Sequence, residues 1–212
     1  MTSLDHEVTL NDSEANDRST LRRRVLAQQL LADPGDLLVV AGLGSTAWDV
    51  NAAGDRPLNL PLWGAMGGAA MIGLGLALAQ PGRRVLVITG DGELLMGVGS
   101  LATIAVQRPV NLAIVAFDNE RYGETGMQAT HTAHGVDLAG IAAACGFPIT
   151  GTLREDAEVA AALAVIRTAS GPVFYVAKVR AEPLPFVLPP KDGAYLKDRF
   201  RHALLAEDAT AS

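Results

Sequence analysis

Along this chain, short unbroken apolar runs alternate with longer stretches in which apolar residues recur every three or four positions. Residues 36–41, 84–89, 110–117 and 172–178 are runs of the first kind, carried by Leu37–Val40, Val85–Ile88 and Val173–Ala177 among others. Their length and β-branched content predict buried strands. Between them, residues 18–32 place Leu21, Val25 and Leu26 on one stripe, with Ser19 or Thr20 as cap and Pro34–Gly35 as stop, predicting a helix. A further helix is predicted after the Gly-rich turn at 42–46. Residues 60–79 are apolar and broken only by glycines, and 80–83 form the turn that ends them. Residues 93–106 carry Leu94, Leu95, Val98, Leu101, Ile104 and Ala105 at helical spacing and predict one crossover helix. Helices are also predicted over 136–146, 155–170 and 195–205. Strands alternating with helices predict an α/β fold: a doubly wound, mostly parallel sheet with helices on both faces.

This pattern divides the chain into three parts. Residues 1–17 are polar, acidic and aperiodic, and read as a disordered tail. Residues 18–182 form the single domain. Residues 183–212, with Pro183, Pro185, Pro189 and Pro190 at their start, read as a C-terminal surface extension. Composition narrows the class. With 49% hydrophobic residues the 212-residue chain has ample material for a core. A net charge of −6 offers no nucleic-acid footprint. The single cysteine, Cys145, forbids an internal disulfide, reads as a small buried filler, and fits a reducing, cytoplasmic setting. The N-terminus lacks the apolar core of a signal peptide, and the Gly-rich run at 64–79 is too short to span a membrane. Arg22–Arg23–Arg24 reads as a solvated face.

Candidate chemistry lies at two strand tips. The strand at 84–89 ends on Gly90–Asp91–Gly92–Glu93, and that at 110–117 ends on Asp118–Asn119. Parallel strands would bring both tips to one sheet edge, where ligands of such folds collect. A carboxylate beside an amide oxygen is a hard donor pair suited to Mg²⁺ with phosphate oxygens completing its shell. The backbone N–H groups after Asp91 suit the same diphosphate. The turn Gly42–Leu43–Gly44–Ser45–Thr46 is either a second phosphate contact or a tight βα turn capped by Ser45.

Gly90–Asp91–Gly92, an intervening stretch, and then Asp118–Asn119–Glu120–Arg121–Tyr122–Gly123 resemble the GDG…NN signature of thiamine-diphosphate enzymes. The resemblance implies thiamine diphosphate and Mg²⁺ as cofactors. It implies metal ligation by Asp91, Asn119 and the backbone carbonyl of Arg121. The chain departs from the pattern at Asp118, where the family often has Asn. Ser45, Thr46, Gly90, Gly92, Glu93, Leu94 and Tyr122 become candidate cofactor contacts, with the Glu93 carboxylate either pointing away from the diphosphate or serving as a helix-start acid. The segment Gly64–Ala65–Met66–Gly67 resembles the family's G-x-M-G. There Met66 would wedge the cofactor rings into a V shape, and the Gly64 carbonyl would accept from the pyrimidine amino group. Plain core packing is the other reading of Met66. Residues 120–132 read as a loop over the site, in which His131 either acts on substrate or is an ordinary loop histidine.

The same resemblance covers only the diphosphate-binding half of these enzymes. It implies a pyrimidine-binding α-type subunit that supplies the activating Glu, and hence a hetero-oligomer. Residues 122–130 and 136–146 look most like the small subunit of sulfopyruvate and phosphonopyruvate decarboxylases. That implies non-oxidative loss of the carboxylate from a small 2-oxo acid with an anionic head, through thiazolium C2, with Arg121 either facing that head or solvated. Two alternatives stand beside it. One is the β-chain of a 2-oxo acid:ferredoxin oxidoreductase, which a single cysteine disfavours as a cluster carrier. The other is a non-catalytic, cofactor-binding regulatory subunit.

Overall fold

The computed structural model describes residues 21–210. The expected tail at 1–17 and the caps Ser19 and Thr20 lie outside them. Helix α1 (Arg23–Leu30) leads into strand β1 (Leu38–Ala41), α2 (Ser45–Ala53), edge strand β2 (Asn59–Pro61), α3 (Ala69–Ala79) and β3 (Val85–Gly90). Then follow α4 (Asp91–Met96), α5 (Ser100–Gln107), β4 (Leu112–Asp118), the two-residue strands β5 (Arg121–Tyr122) and β6 (Gln128–Ala129), and a 3₁₀ turn (His131–His134). The chain closes with α6 (Leu138–Cys145), β7 (Ile149–Leu153), α7 (Asp156–Thr168), β8 (Val173–Lys178) and α8 (Gly193–Thr210).

Six strands form one sheet in the order β2-β1-β3-β4-β8-β7, every neighbouring pair parallel. The strands alternate faces as their period of two demands. Leu38, Val40, Val85, Val87, Leu112 and Ile114 pack beneath α3, α5 and α6. Val39, Ala41, Leu86, Ile88, Ala113 and Val115 pack beneath α1, α2 and α7. Both faces are therefore dry, which is why the strands read as unbroken apolar runs. From β1 the chain moves outward to β2, and from β3 it moves the other way to β4. This reversal between β1 and β3 opens a crevice at the carboxyl edge.

Several expectations are corrected. The single crossover helix over 93–106 is two helices, α4 and α5, separated at 97–99. The break has a packing cause: the Gly97 backbone lies against that of Gly67, and a side chain on either glycine would overlap the other backbone. Strands β2 and β7 were not foreseen. β2 is three residues long, and β7 is a half-exposed edge strand whose Ile-Thr-Gly-Thr start lacks an apolar run. The loop over 120–132 contains the antiparallel β5–β6 pair. Arg23 is not a solvated residue. It is buried beside Asp49 of α2, 3.3 Å away, and Arg24 meets the same carboxylate at 3.1 Å. The C-terminal segment is more than a surface strap, since α8 buries Leu196 and Phe200, the latter in the core shared with α3, α5 and α6. Cys145 is half-buried at the margin of that core. Among the described residues, no helix is long and apolar enough to cross a membrane.

Candidate functional site

The two tips singled out in the sequence come together. β3 and β4 are parallel neighbours with Gly90 opposite Phe117, so Asp91 and Asp118 leave adjacent strands at the same edge. Both carboxylates are only 2% exposed. Asp91 Oδ2 accepts from the Thr130 hydroxyl at 2.5 Å and lies 2.9 Å from the Thr132 hydroxyl. Thr132 Oγ1 is also 2.8 Å from Asp118 Oδ1, so one hydroxyl bridges the two acids. Burial, followed by the Asp118 charge, pushes the Asp91 carboxyl up to about 6, against hydrogen bonds from Thr130, Thr132 and the Gly92 amide. A buried acid of this kind, facing a second acid, is an environment that a cation would relieve.

Beyond Asp118 the chain turns sharply. Asn119 Oδ1 accepts from the Arg121 amide at 3.0 Å, Asp118 Oδ1 accepts from the Glu120 amide at 3.1 Å, and Glu120 takes φ +61°. Positive φ on a residue with a side chain carries a cost of order 1 kcal/mol and is held only by its surroundings. The turn brings Asn119 and Arg121 to the edge beside Asp91. Tyr122 lies over Gly92, where an added Cβ would overlap its ring, so Gly92 is required by close approach.

On the other side of the crevice, Gly44 takes φ +82° ahead of α2, and the Glu124 carboxylate lies where a Gly44 side chain would be. A carboxylate thus lies against the turn, and the helix start behind it is a candidate anion cradle. Ser45 is half-buried in the first turn of α2. Thr46 is turned inward: its hydroxyl donates to the Gly42 carbonyl at 2.8 Å, so in this conformation it staples the turn and does not face the cradle. A groove of about 280 Å³ adjoins the cradle, lined by Leu43, Gly44, Trp48, Trp63, Glu124 and Pro189.

Glu93 stands in the first turn of α4, as the helix-start reading expects. Its side chain folds inward, 4% exposed, beneath Gly42, and accepts from the Thr89 hydroxyl. Burial pushes its carboxyl up, opposed by Thr89 and by the amides of Gly90, Ala69 and Gly67. None of these reaches Oε1, which has no hydrogen-bond partner. Leu94 is buried in the core, leaving only its backbone for a ligand. Met66 is 42% exposed on the segment between β2 and α3, and the Gly67–Gly97 contact holds that segment against the end of α4. A Cβ on Gly64 or Gly90 would meet nothing within 4 Å. His131 is exposed on the 3₁₀ turn; its neighbours Thr130 and Thr132, not the histidine, reach the buried acid.

Thr130, Thr132 and Lys178 were missed as site residues. The two threonines stand two apart in a polar loop with no motif of their own. Lys178 ends β8 in register with Asp118, and its Nζ lies 2.7 Å from Asp118 Oδ2 and 2.7 Å from Glu120 Oε1. Among the described residues there is no metal-binding cluster of three or more His, Cys, Asp and Glu. The candidate donors at this edge are of another type, one carboxylate, one amide and one carbonyl, which would suit a hard cation sharing phosphate oxygens.

Fold and site together define a doubly wound α/β domain with a candidate anion cradle and a buried acid at its switch point. A profile described as thiamine pyrophosphate enzyme, C-terminal TPP binding domain, matches residues 43–177, and the chain belongs to this family. It is 42% identical over 139 residues to sulfopyruvate decarboxylase subunit beta of Methanothermobacter thermautotrophicus, covering 66% of this chain and 71% of that one. The namesake subunit of Methanococcus maripaludis is 34% identical across 87% of this chain and 98% of its own length. Phosphonopyruvate decarboxylase of Streptomyces viridochromogenes is 37% identical over 82% of this chain, which spans only 44% of that protein. Among solved structures, benzoylformate decarboxylase from Polynucleobacter necessarius superposes with TM-score 0.66 over 79% of this chain and 34% of that one, at 20% identity, a likeness of fold alone.

Proposed function

We propose that this chain is the diphosphate-binding subunit of a split thiamine-diphosphate-dependent decarboxylase acting on a small 2-oxo acid with an anionic head, of the sulfopyruvate or phosphonopyruvate type. The observation that carries the reading is the convergence of Asp91, Asn119 and the Gly44 cradle at one crevice. The decarboxylase subunits to which the chain is similar along most of its length support the reaction type. In this reading Asp91, Asn119 and the Arg121 carbonyl hold Mg²⁺. The Gly42–Ser45 turn and the amides of Gly92, Glu93 and Leu94 receive the diphosphate. Tyr122 packs beside it, the Gly64 carbonyl orients the pyrimidine, and Met66 supports the bent cofactor from below. Bound thiamine diphosphate supplies a carbon nucleophile and an electron sink for the departing carboxylate. The exposure of Met66 and Gly64 in this chain fits a site completed by a second subunit, of α type, that provides the activating Glu.

The test is CO₂ release from a panel of 2-oxo acids that includes sulfopyruvate and phosphonopyruvate, with thiamine diphosphate and Mg²⁺. The chain is assayed alone and co-purified with the product of its neighbouring gene. Activity only with the partner, and only on acids with an anionic head, is expected. Cofactor binding without CO₂ release from any pair would overturn the decarboxylase reading in favour of a ferredoxin-linked or regulatory subunit.

A further inference from the structure

Asp118 raises a problem that the candidate site does not resolve by itself. It is a buried acid one hydroxyl away from Asp91 and directly precedes Asn119. A carboxylate so placed is a stronger cation ligand than the neighbouring amide, and its charge opposes an incoming diphosphate. Something must hold it out of the site. The only ion pair described for it is with Lys178, whose Nζ reaches Asp118 Oδ2 from the end of β8. The same ammonium takes Glu120 Oε1, so it grips the residues on both sides of Asn119. The opposite oxygen, Asp118 Oδ1, is occupied by the Glu120 amide and the Thr132 hydroxyl. The backbone is pinned as well: the Val179 amide donates to the Asp118 carbonyl and the Thr130 amide to the Glu120 carbonyl, both at 3.0 Å.

We propose that Lys178 is a positioning residue for the cation site. As the counter-charge of Asp118, it keeps that carboxylate turned away from the metal and fixes the strained turn that presents Asn119 and the Arg121 carbonyl. Lys178 touches neither cofactor nor substrate in this assignment. It acts through Asp118, and it is needed because position 118 is an acid; an amide there would require no counter-charge. Removing one partner from a buried ion pair leaves the other charge uncompensated, here beside a diphosphate. The inference rests on the cofactor reading above.

The experiment is calorimetric titration of Mg²⁺·thiamine diphosphate into the chain co-purified with its partner. It compares wild type, Lys178→Met, Asp118→Asn and the double substitution, with near-ultraviolet circular dichroism confirming that each is folded. Lys178→Met is expected to weaken binding tenfold or more, and Asp118→Asn/Lys178→Met to return to within about threefold of Asp118→Asn, because the amide leaves no charge to balance. A lysine that only stabilises the fold would lower the melting temperature and leave the affinity of folded protein unchanged, and that result overturns the proposal. A double substitution as weak as Lys178→Met alone overturns it too. Should Lys178→Met fail to fold, the pair Asp118→Asn and Asp118→Asn/Lys178→Met decides: equal affinities support the counter-charge role, and a tenfold gap refutes it. Absence of binding by the wild-type complex would instead overturn the cofactor reading, and the role of Lys178 toward the metal with it.

Discussion

Gly73 and Gly75 sit two residues apart in α3, and replacing each by alanine should move stability in opposite directions. In a helix interior alanine is favoured over glycine by about 1 kcal/mol. At Gly75 a Cβ meets nothing within 4 Å, so the full gain is available. At Gly73 the same atom would stand 2.2 Å from Val87 Cγ2 and 3.4 Å from Leu112 Cδ1. The first distance is roughly 1.5 Å short of the ~3.5–4.0 Å at which carbon atoms pack. Val87 is fully buried in the middle of the sheet, between β1 and β4, and its β-branched side chain cannot turn aside. The helix must therefore rise off the sheet, at an overpacking cost of about 1–3 kcal/mol. A contact this short puts the overpacking cost in the upper half of that range, so against the propensity gain Gly73→Ala should lose about 1–2 kcal/mol while Gly75→Ala gains about 1 kcal/mol. For a domain of this size each kcal/mol moves Tm by about 2–4 °C, so calorimetry should place the two variants several degrees apart on either side of the wild type. Equal or higher stability for Gly73→Ala would refute the close helix–sheet approach. Because α3 directly follows the Met66 segment, the Gly73 variant should also lose turnover beyond its loss of stability.

Asp91→Ala should abolish Mg²⁺-dependent cofactor binding in calorimetry, since it removes the one carboxylate of the proposed donor set; unchanged affinity would sink that assignment. Met66→Ala should reduce kcat more than cofactor affinity, and a large effect on affinity alone would count against the wedge role. Gly42→Ala should destabilise the chain by about 1–3 kcal/mol, because its Cβ displaces the buried Glu93 carboxylate from Thr89. Gly42→Ala/Glu93→Ala should recover most of that loss in urea unfolding, and simple additivity of the two substitutions would show that they do not touch.

How far the sequence could be read differs between fold and site, for physical reasons. The central strands β1, β3, β4 and β8 are buried on both faces, so each is an apolar run that stands out without any knowledge of its partners. The edge strands β2 and β7 are short or half-exposed, and what makes them strands is the ladder of a neighbour, which local pattern does not carry. The break between α4 and α5 was invisible for a related reason. Helical spacing continues through Val98, and only the approach of Gly67, thirty residues away, requires the chain to open at Gly97.

At the candidate site, motif and strand context singled out Asp91 and Asn119, at strand tips that share one sheet edge, because both are read along the chain. The environment that completes them is read across it. Thr130 and Thr132 reach Asp91 from the turn after β6, and Lys178 reaches Asp118 through strand register. Glu93 shows the limit most clearly: spacing puts an acid in the first turn of α4 but does not say where its side chain goes. The packing folds it inward beneath Gly42, where only a glycine leaves room, and burial favours its neutral form. The substitution of Asp for Asn at 118 carries the same lesson. Judged by the motif it is harmless, because the proposed ligand is the next residue. Judged by charge, it places an acid next to the proposed metal site, and β8 ends in a lysine at the matching height that would balance it. A departure from a motif is thus intelligible only together with the residue that compensates it, and that residue is found by register, not by spacing.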